Sequence, residues 1–234
     1  MKTSKQTVHL VDSMGSDLSV VNAARVSFAK ESEWVVTPVG NEESWDVVAS
    51  LSAQDQKLIN YLAKHQHWSP FAHNSLTFRI KAPIFVARQL VKHQVGGVWN
   101  EVSRRYVDDE PEFYFPEVWR GRSVNAKQGS DGVIKFPLEP DGFNHDMWFE
   151  EVVSSSLNCY NGLLESGVAP EQARMILPQN TMTEWWWTGS LMFFARVCKQ
   201  RLDPHAQQET REVAQMIADA IPQEFEHSWK ALMQ

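Results

Sequence analysis

The stretch 76–93 limits the fold more than any other part of the chain, because its hydrophobic period changes in the middle. Leu76, Phe78 and Ile80 alternate with polar residues, which predicts a half-buried strand. From Pro83 onward the apolar residues recur at helical spacing, which predicts a helix over about 83–93. A strand that leads directly into a helix requires a core built from both kinds of element.

The rest of the chain repeats this mixture. Alternation predicts a strand at 7–12, and helical spacing predicts helices from Asp17, from Ser52, over 142–166, over 170–177, over 191–200 and from Asp203–Pro204 onward. Residues 181–188 fit either a strand or a turn, 30–50 fit a loop or insertion, and 107–143 fit a strand followed by a surface excursion. We therefore expect an α+β fold: one interlocked domain over 1–234, with a small antiparallel sheet, several long helices and an insertion at about 30–50.

Two details of the predicted helices depend on side-chain chemistry. Asp17 is a favourable residue type for the N-cap of the first helix. The spacing of the helix over 142–166 predicts inward positions at Trp148, Val152, Leu157, Tyr160 and Leu164.

Composition excludes several classes of protein. The formal net charge is -7, which argues against a nucleic-acid-binding protein. No apolar run resembles a signal peptide or approaches a membrane helix. The 2 cysteines, Cys159 and Cys198, lie in no zinc or redox pattern, so we expect a cytoplasmic protein with reduced thiols.

A local basic island interrupts this acidic chain between Arg88 and Tyr106. Gly96 and Gly97 allow a turn or close approach to a ligand, and Ser103, Arg104 and Arg105 follow. A hydroxyl group and two guanidinium groups suit a phosphate monoester. A solvated basic loop is the alternative that the residue types leave open.

Other candidate residues have ordinary structural explanations. His65, His67 and His73 could ligate a metal, but no acidic or cysteine partner stands at a regular spacing, so we expect no metal site. Cys198 has no visible activating neighbour and fits a buried helix position. Glu171 and Arg174 fit a surface pair on one helix.

Four segments together resemble a known family. Lys92-His93-Gln94, then eight residues, then Ser103-Arg-Arg-Tyr resembles the Arg-His-Arg, seven residues, Ser signature of the flavin-dependent thymidylate synthases. The approach over 81–89, the segment over 65–73 and the segment over 200–207 are similar to further motifs of that family.

The resemblance implies specific roles for residues of this chain. Arg201 and His67 would be catalytic. A dUMP site would comprise Gln89, Lys92, Glu101, Ser103, Arg104, Arg105, Arg174 and Arg201. An FAD site would comprise Ser69, Lys92, His93, Gln94, Glu101, Ser190 and Arg196.

The same resemblance implies the reaction and the assembly. A homotetramer with sites shared between subunits would convert dUMP to dTMP, with methylenetetrahydrofolate as carbon donor and NADPH as reductant. Lys92 and Gln94 depart from the family's arginines, Ala72 replaces its glutamate, and one extra residue precedes Ser103. The alternative is a histidine-based, metal-dependent hydrolase that acts on a phosphorylated small molecule.

Overall fold

A sheet of four strands, widely separated in sequence, organises the protein. The computed structural model describes residues 1–41, 44–124, 129–137 and 144–234, with backbone only at 39–41 and 44–47. The sheet has the order β2–β5–β10–β6 and is antiparallel throughout. Its central pair consists of β5 and β10, with Met182 opposite Pro83 and Gly189 opposite Leu76. The sequence fitted either a strand or a turn at 181–188, and the structure shows a strand over Met182–Gly189.

Strands and helices are interspersed along the described chain. The strands are β1 Lys2–Thr3, β2 Thr7–Met14, β3 Val35–Asn41, β4 Ser44–Ser50, β5 Ser75–Pro83, β6 Gly97–Glu101, β7 Glu112–Phe113, β8 Trp119–Arg122, β9 Ser130–Ile134 and β10 Met182–Gly189. The helices are α1 Asp17–Arg25, α2 Ala53–Lys64, α3 Ile84–Leu90, α4 His145–Glu165, α5 Pro170–Ala173, α6 Leu191–Arg201, α7 Gln208–Asp219 and α8 Glu226–Met233. This mixture confirms the predicted α+β class.

One face of the sheet builds the main core. Phe78 of β5 and Trp185 and Trp187 of β10 are buried on that face, and Phe194 of α6 packs edge-on to Phe78 at 4.8 Å. The opposite face carries Trp186, which is 50% exposed. Alternation along these strands therefore separates a helix-covered face from an open one.

The predicted N-cap of α1 is wrong. Ser16 caps that helix, and its backbone N–H donates in return to the Ser19 hydroxyl oxygen. Asp17 is 2% exposed and instead accepts hydrogen bonds from the backbone N–H groups of His227 at 2.9 Å and Ser228 at 2.8 Å. Asp17 thus caps α8, because a carboxylate satisfies N–H groups at any helix start that packs against it.

For 30–50 the sequence predicted a loop or insertion, and the loop is wrong for residues 35–41 and 44–50. β3 and β4 pair as an antiparallel hairpin, although residues 42–43 lie outside the described residues. Pro38 did not prevent this pairing, because a two-stranded hairpin consists of edge strands only.

Three helix predictions need correction. The helix after Asp203 begins at Gln208, because residues 203–206 form a turn. The predicted helix over 170–177 is the single turn α5 followed by a 3-10 turn over Arg174–Ile176. Trp148 and Val152 of α4 are 59% and 61% exposed, while Val153 takes the inward position beside Leu157 and Tyr160.

Parts of the 107–143 excursion fold as strands. β8 and β9 pair as a short hairpin, while residues 125–128 and 138–143 lie outside the described residues. Among the helices that the structure describes, none is both long enough and apolar enough to cross a bilayer.

Candidate active site

Arg201, at the end of α6, is held in place by two partners. Its Nε donates to Nε2 of His93 at 2.9 Å, and its Nη2 donates to the backbone oxygen of Gln89 at 3.0 Å. α3 ends at Leu90, before the predicted 93, so His93 lies in the turn that brings its ring to Arg201. The guanidinium plane is therefore fixed while the remaining N–H groups of Nη1 and Nη2 can still donate.

His93 is neutral in this arrangement. Burial, together with the positive charges of Arg201 and Arg196, lowers its pKa from 6.5 to about 4. Its Nε2 accepts the hydrogen bond from Arg201, so the ring proton is on Nδ1. Burial also lowers the pKa of Arg201.

Two clefts lie beside α6, and the smaller of them includes His93. The smaller has a volume of about 170 Å³ and is lined by Lys92, His93, Gln94 and Arg196, among others. The larger, about 870 Å³, shares Arg196 with it and adds Lys64, Lys199 and Trp68. Trp68 is 62% exposed, which leaves the indole face available for stacking. Cations beside an exposed aromatic ring fit a phosphate-bearing, planar cofactor such as FAD.

Strand β6 separates these residues from a second group. Gly97 at its start pairs with Gly189, just before α6, and Glu101 at its end pairs with Trp185. Four residue steps of a strand span about 13 Å, so Glu101 lies about that far along the sheet from Gly97 and the start of α6. Glu101 accepts from Thr183 Oγ1 at 2.8 Å and from Trp99 Nε1 at 3.1 Å.

The second group surrounds a cleft of about 430 Å³ that includes Glu101, Arg104 and Arg174. Arg104 Nη1 donates to the backbone oxygen of Asp109 at 2.6 Å. Arg174 Nε donates to the backbone oxygen of Glu171 at 3.3 Å. The expected Glu171–Arg174 side-chain pair is therefore replaced by a backbone contact.

The Glu171 carboxylate pairs with another predicted site residue. Arg105 Nε lies 3.4 Å from Glu171 Oε2, and its guanidinium lies over the ring of Tyr106. The Ser103 hydroxyl accepts from the backbone N–H of Arg105 at 3.3 Å, which shapes the turn after β6. Within one chain, the predicted dUMP residues thus divide into one set near Arg201 and another near Arg105.

The remaining predicted residues lie after α2 and at the start of α6. His67 and Ser69 are exposed and flank Trp68 after α2, and the His67 ring lies edge-on to Tyr61 at 5.9 Å. Ser190 caps α6 by accepting from the N–H of Phe193 at 3.2 Å. Its hydroxyl thus already has a structural role.

Neither alternative chemistry gains support from the geometry. The His65 and His67 ring centroids are 6.4 Å apart, and the described residues contain no group of three or more side chains arranged to hold a metal ion. Cys198 is fully buried, and burial raises its pKa to about 12. That thiol remains protonated at neutral pH.

Sequence reasoning missed three residues beside the site. At the start of α7, Gln207 Oε1 accepts from Nε2 of Gln89, and the Thr210 hydroxyl donates to Oε1 of Gln89. Trp68 lies between the two predicted residues after α2. Gln207 belongs to the 200–207 segment already singled out, but its contact with Gln89 depends on how α3 and α7 pack.

Comparisons with known proteins agree on one family. The family model described as "Thymidylate synthase complementing protein" matches residues 9–225. A flavin-dependent thymidylate synthase from Thermus thermophilus is 37% identical over 227 residues, covering 97% of this chain and 75% of the relative. Another, from Thermosipho africanus, is 35% identical over 98% of this chain and 91% of its own. A crystal structure of a UMP/dUMP methylase from Streptomyces cacaoi, bound with 5-Br dUMP, matches with a TM-score of 0.80 and 31% identity, over 99% of this chain and 96% of that one.

Proposed function

The chain belongs to the thymidylate synthase complementing protein family, alongside the flavin-dependent thymidylate synthases, and we propose that it methylates dUMP to dTMP. It is therefore an enzyme, a methyltransferase that uses a flavin. We further propose FAD as the flavin, methylenetetrahydrofolate as the carbon donor and NADPH as the reductant. The observation that carries the proposal is Arg201, whose guanidinium is fixed by His93 and Gln89 with further N–H groups left to donate.

This fixed guanidinium suits the chemistry of uracil methylation. C5 of the pyrimidine becomes nucleophilic only when the ring gains electron density. Oriented N–H donors at the oxygen edge of uracil stabilise that density as it develops, and such donors need no reorganisation during the reaction. Arg201 supplies them, and neutral His93 keeps them aligned without adding a second positive charge.

Four of the proposed FAD residues, Lys92, His93, Gln94 and Arg196, line the smaller cleft, and Arg196 also lines the larger one. Lys92 and Arg196 would neutralise the pyrophosphate of FAD, and Trp68 offers a ring for stacking. His67, Ser69, His93, Gln94 and Ser190 would complete the set from the same chain, and Glu101, which lines the other cleft, would come from a partner subunit. When bound, FAD would supply the reducing equivalents that turn the transferred carbon into a methyl group.

The substrate site would be assembled between chains of a homotetramer. Within one chain Arg201 contacts Gln89 and His93, whereas Glu101, Arg104 and Arg174 line a different cleft. Ser103 and Arg105 follow Glu101 in sequence, and Arg105 pairs with Glu171. The division into separate groups supports a site in which one subunit supplies the residues around Arg201 and a partner supplies those around Arg105. The free thiols of Cys159 and Cys198 support a reducing, cytoplasmic location.

A direct assay tests the activity. We expect the purified protein to be yellow, or to bind added FAD with micromolar or tighter affinity, and to form dTMP from dUMP with methylenetetrahydrofolate and NADPH. UMP serves as the competing substrate, because the matched methylase is described as acting on both nucleotides. Absence of flavin binding at saturating FAD would refute the proposed function.

Mixed oligomers test the shared site. Arg105→Ala and Arg201→Ala are each expected to be inactive. When equal amounts are unfolded and refolded together, half of the pairs are mixed and half of their sites carry neither change, so about a quarter of wild-type activity should return. If mass spectrometry shows mixed oligomers that remain inactive, both arginines act within one chain or Arg105 is not a ligand.

A further inference from the structure

A line of hydrogen bonds leads from the buried carboxylate of Glu209 to the amide of Gln89. Glu209 is 4% exposed, and its Oε1 accepts from Arg120 Nη2 at 2.5 Å. Its Oε2 accepts from Gln207 Nε2 at 3.0 Å. Gln207 Oε1 in turn accepts from Gln89 Nε2 at 2.5 Å, and Gln89 Oε1 accepts from the Thr210 hydroxyl at 3.1 Å.

The chemistry of the two ends fixes the direction of every bond in this line. An ionised carboxylate can only accept, so Gln207 must turn its NH₂ group toward Glu209. Its carbonyl oxygen then faces Gln89, which must present its own NH₂ group. Arg120 can only donate, so the Glu209 oxygen that faces it must accept.

Gln89 connects this line to the proposed substrate site. Its backbone oxygen accepts from Arg201, so the same residue is held on one side by α6 and on the other by the start of α7. We propose that Glu209, paired with Arg120, is a positioning residue that sets which end of the Gln89 amide faces the pyrimidine. This inference rests on the proposed function, since it takes Gln89 as a dUMP ligand. Arg120 comes from the 107–143 excursion, which the sequence resemblance did not cover.

Glu209→Gln separates this role from simple support of the fold. Because Arg120 can only donate, the amide introduced at position 209 must turn its oxygen toward Arg120. Its NH₂ group then faces Gln207. Gln207 and Gln89 would then both invert, and the Thr210 hydroxyl could accept as readily as it donated. The four hydrogen bonds of the line survive, while the 3.4 Å contact from Gln89 Nε2 to the backbone oxygen of Phe85 is lost. Gln89 then presents the opposite end of its amide.

A compensating change should restore the original order. In Gln207→Glu/Glu209→Gln the carboxylate stands one step nearer to Gln89 and again requires its NH₂ group. The new charge would also be nearer to an anionic nucleotide, so recovery of binding would run against simple electrostatics. A mere charge pair with Arg120 would not be rescued, because Arg120 still faces a neutral amide.

The experiment measures dUMP affinity of the FAD-loaded protein by calorimetry, with thermal unfolding alongside. We expect Glu209→Gln to weaken dUMP binding about five-fold, a modest factor because Gln207 is exposed to water, with the double variant recovering most of it. Glu212→Gln is the matched control: Glu212 lies one turn along α7, accepts from Gln6 and Gln208, and should leave affinity unchanged.

Each outcome decides between the two proposals. If wild-type protein fails to bind dUMP, the proposed function is overturned. If wild-type protein binds dUMP but Glu209→Gln binds equally well, or the double variant is no better than the single one, the positioning role is overturned. Should Glu209→Gln fail to fold, Gln207→Leu interrupts the line while keeping the Glu209–Arg120 pair, and unchanged dUMP affinity in that variant would equally refute the role.

Discussion

Acidification should destabilise the protein through one histidine beside Arg201. The pKa of His93 is lowered from 6.5 to about 4, so the unfolded chain binds a proton at this residue before the folded protein does. Stability therefore rises with pH across this window: the contribution of His93 is complete above about pH 6.5 and is lost as pH falls toward 4. A pKa shift of this size corresponds to at most ~3 kcal/mol in the free energy of unfolding. Solvent screening of the partly exposed ring reduces the expected loss of stability to ~1–2 kcal/mol.

The assay compares wild-type protein with His93→Gln, whose amide oxygen can still accept from Arg201 but does not titrate. Urea unfolding is measured from pH 7.5 to 4.5 at one fixed protein concentration, since an oligomer's stability depends on concentration. Other carboxylates titrate in both proteins, so the pH dependence of the difference isolates His93. We expect the wild-type protein to lose ~1–2 kcal/mol more than the variant across this range. Parallel curves for the two proteins would show that His93 is not held neutral by its surroundings.

Three further changes test other parts of the structure. Arg201→Lys should keep the fold and FAD binding but raise the activation free energy of dTMP formation by ~2.7–4 kcal/mol, because lysine cannot contact His93, Gln89 and a planar substrate edge together. A near wild-type rate would show that Arg201 does not activate the substrate. Combined Cys159→Ala and Cys198→Ala should leave activity largely intact, and a folded but inactive protein would instead indicate a cysteine nucleophile. Gly189→Ala should lower the free energy of unfolding by ~1–3 kcal/mol, because a methyl group there would overlap the buried Phe193 ring. Gly162→Ala in α4 is its control, with no atom near the added methyl group; equal thermal unfolding of the two variants would contradict the packing argument.

Sequence predictions were accurate where an element has a local pattern of its own, and failed where the outcome depends on contacts between residues distant in sequence. β5 and α3 were predicted because each has a clean period of its own, whereas Trp185–Trp187 conceals the alternation of β10 behind three identical side chains. Arg201 and His93 were placed by motif, but the sequence alone could not show that they contact each other across 108 positions. The cap of α1 was misassigned because Ser16 and Asp17 are both good capping residues, and only the packing of α8 decides between them. The Gln89–Gln207 contact likewise depends on helix packing, which has no local signal.

The position of Asp17 has a consequence for how the protein is made. Its two hydrogen bonds to His227 and Ser228 span 210 and 211 residues. The Asp17 carboxylate therefore lacks these two partners until the ribosome has added at least 210 further residues. Because the strands of the main sheet are also recruited from distant positions, early-made segments remain incomplete while translation continues. Only after α8 leaves the exit tunnel can α1 make its native contacts with that helix.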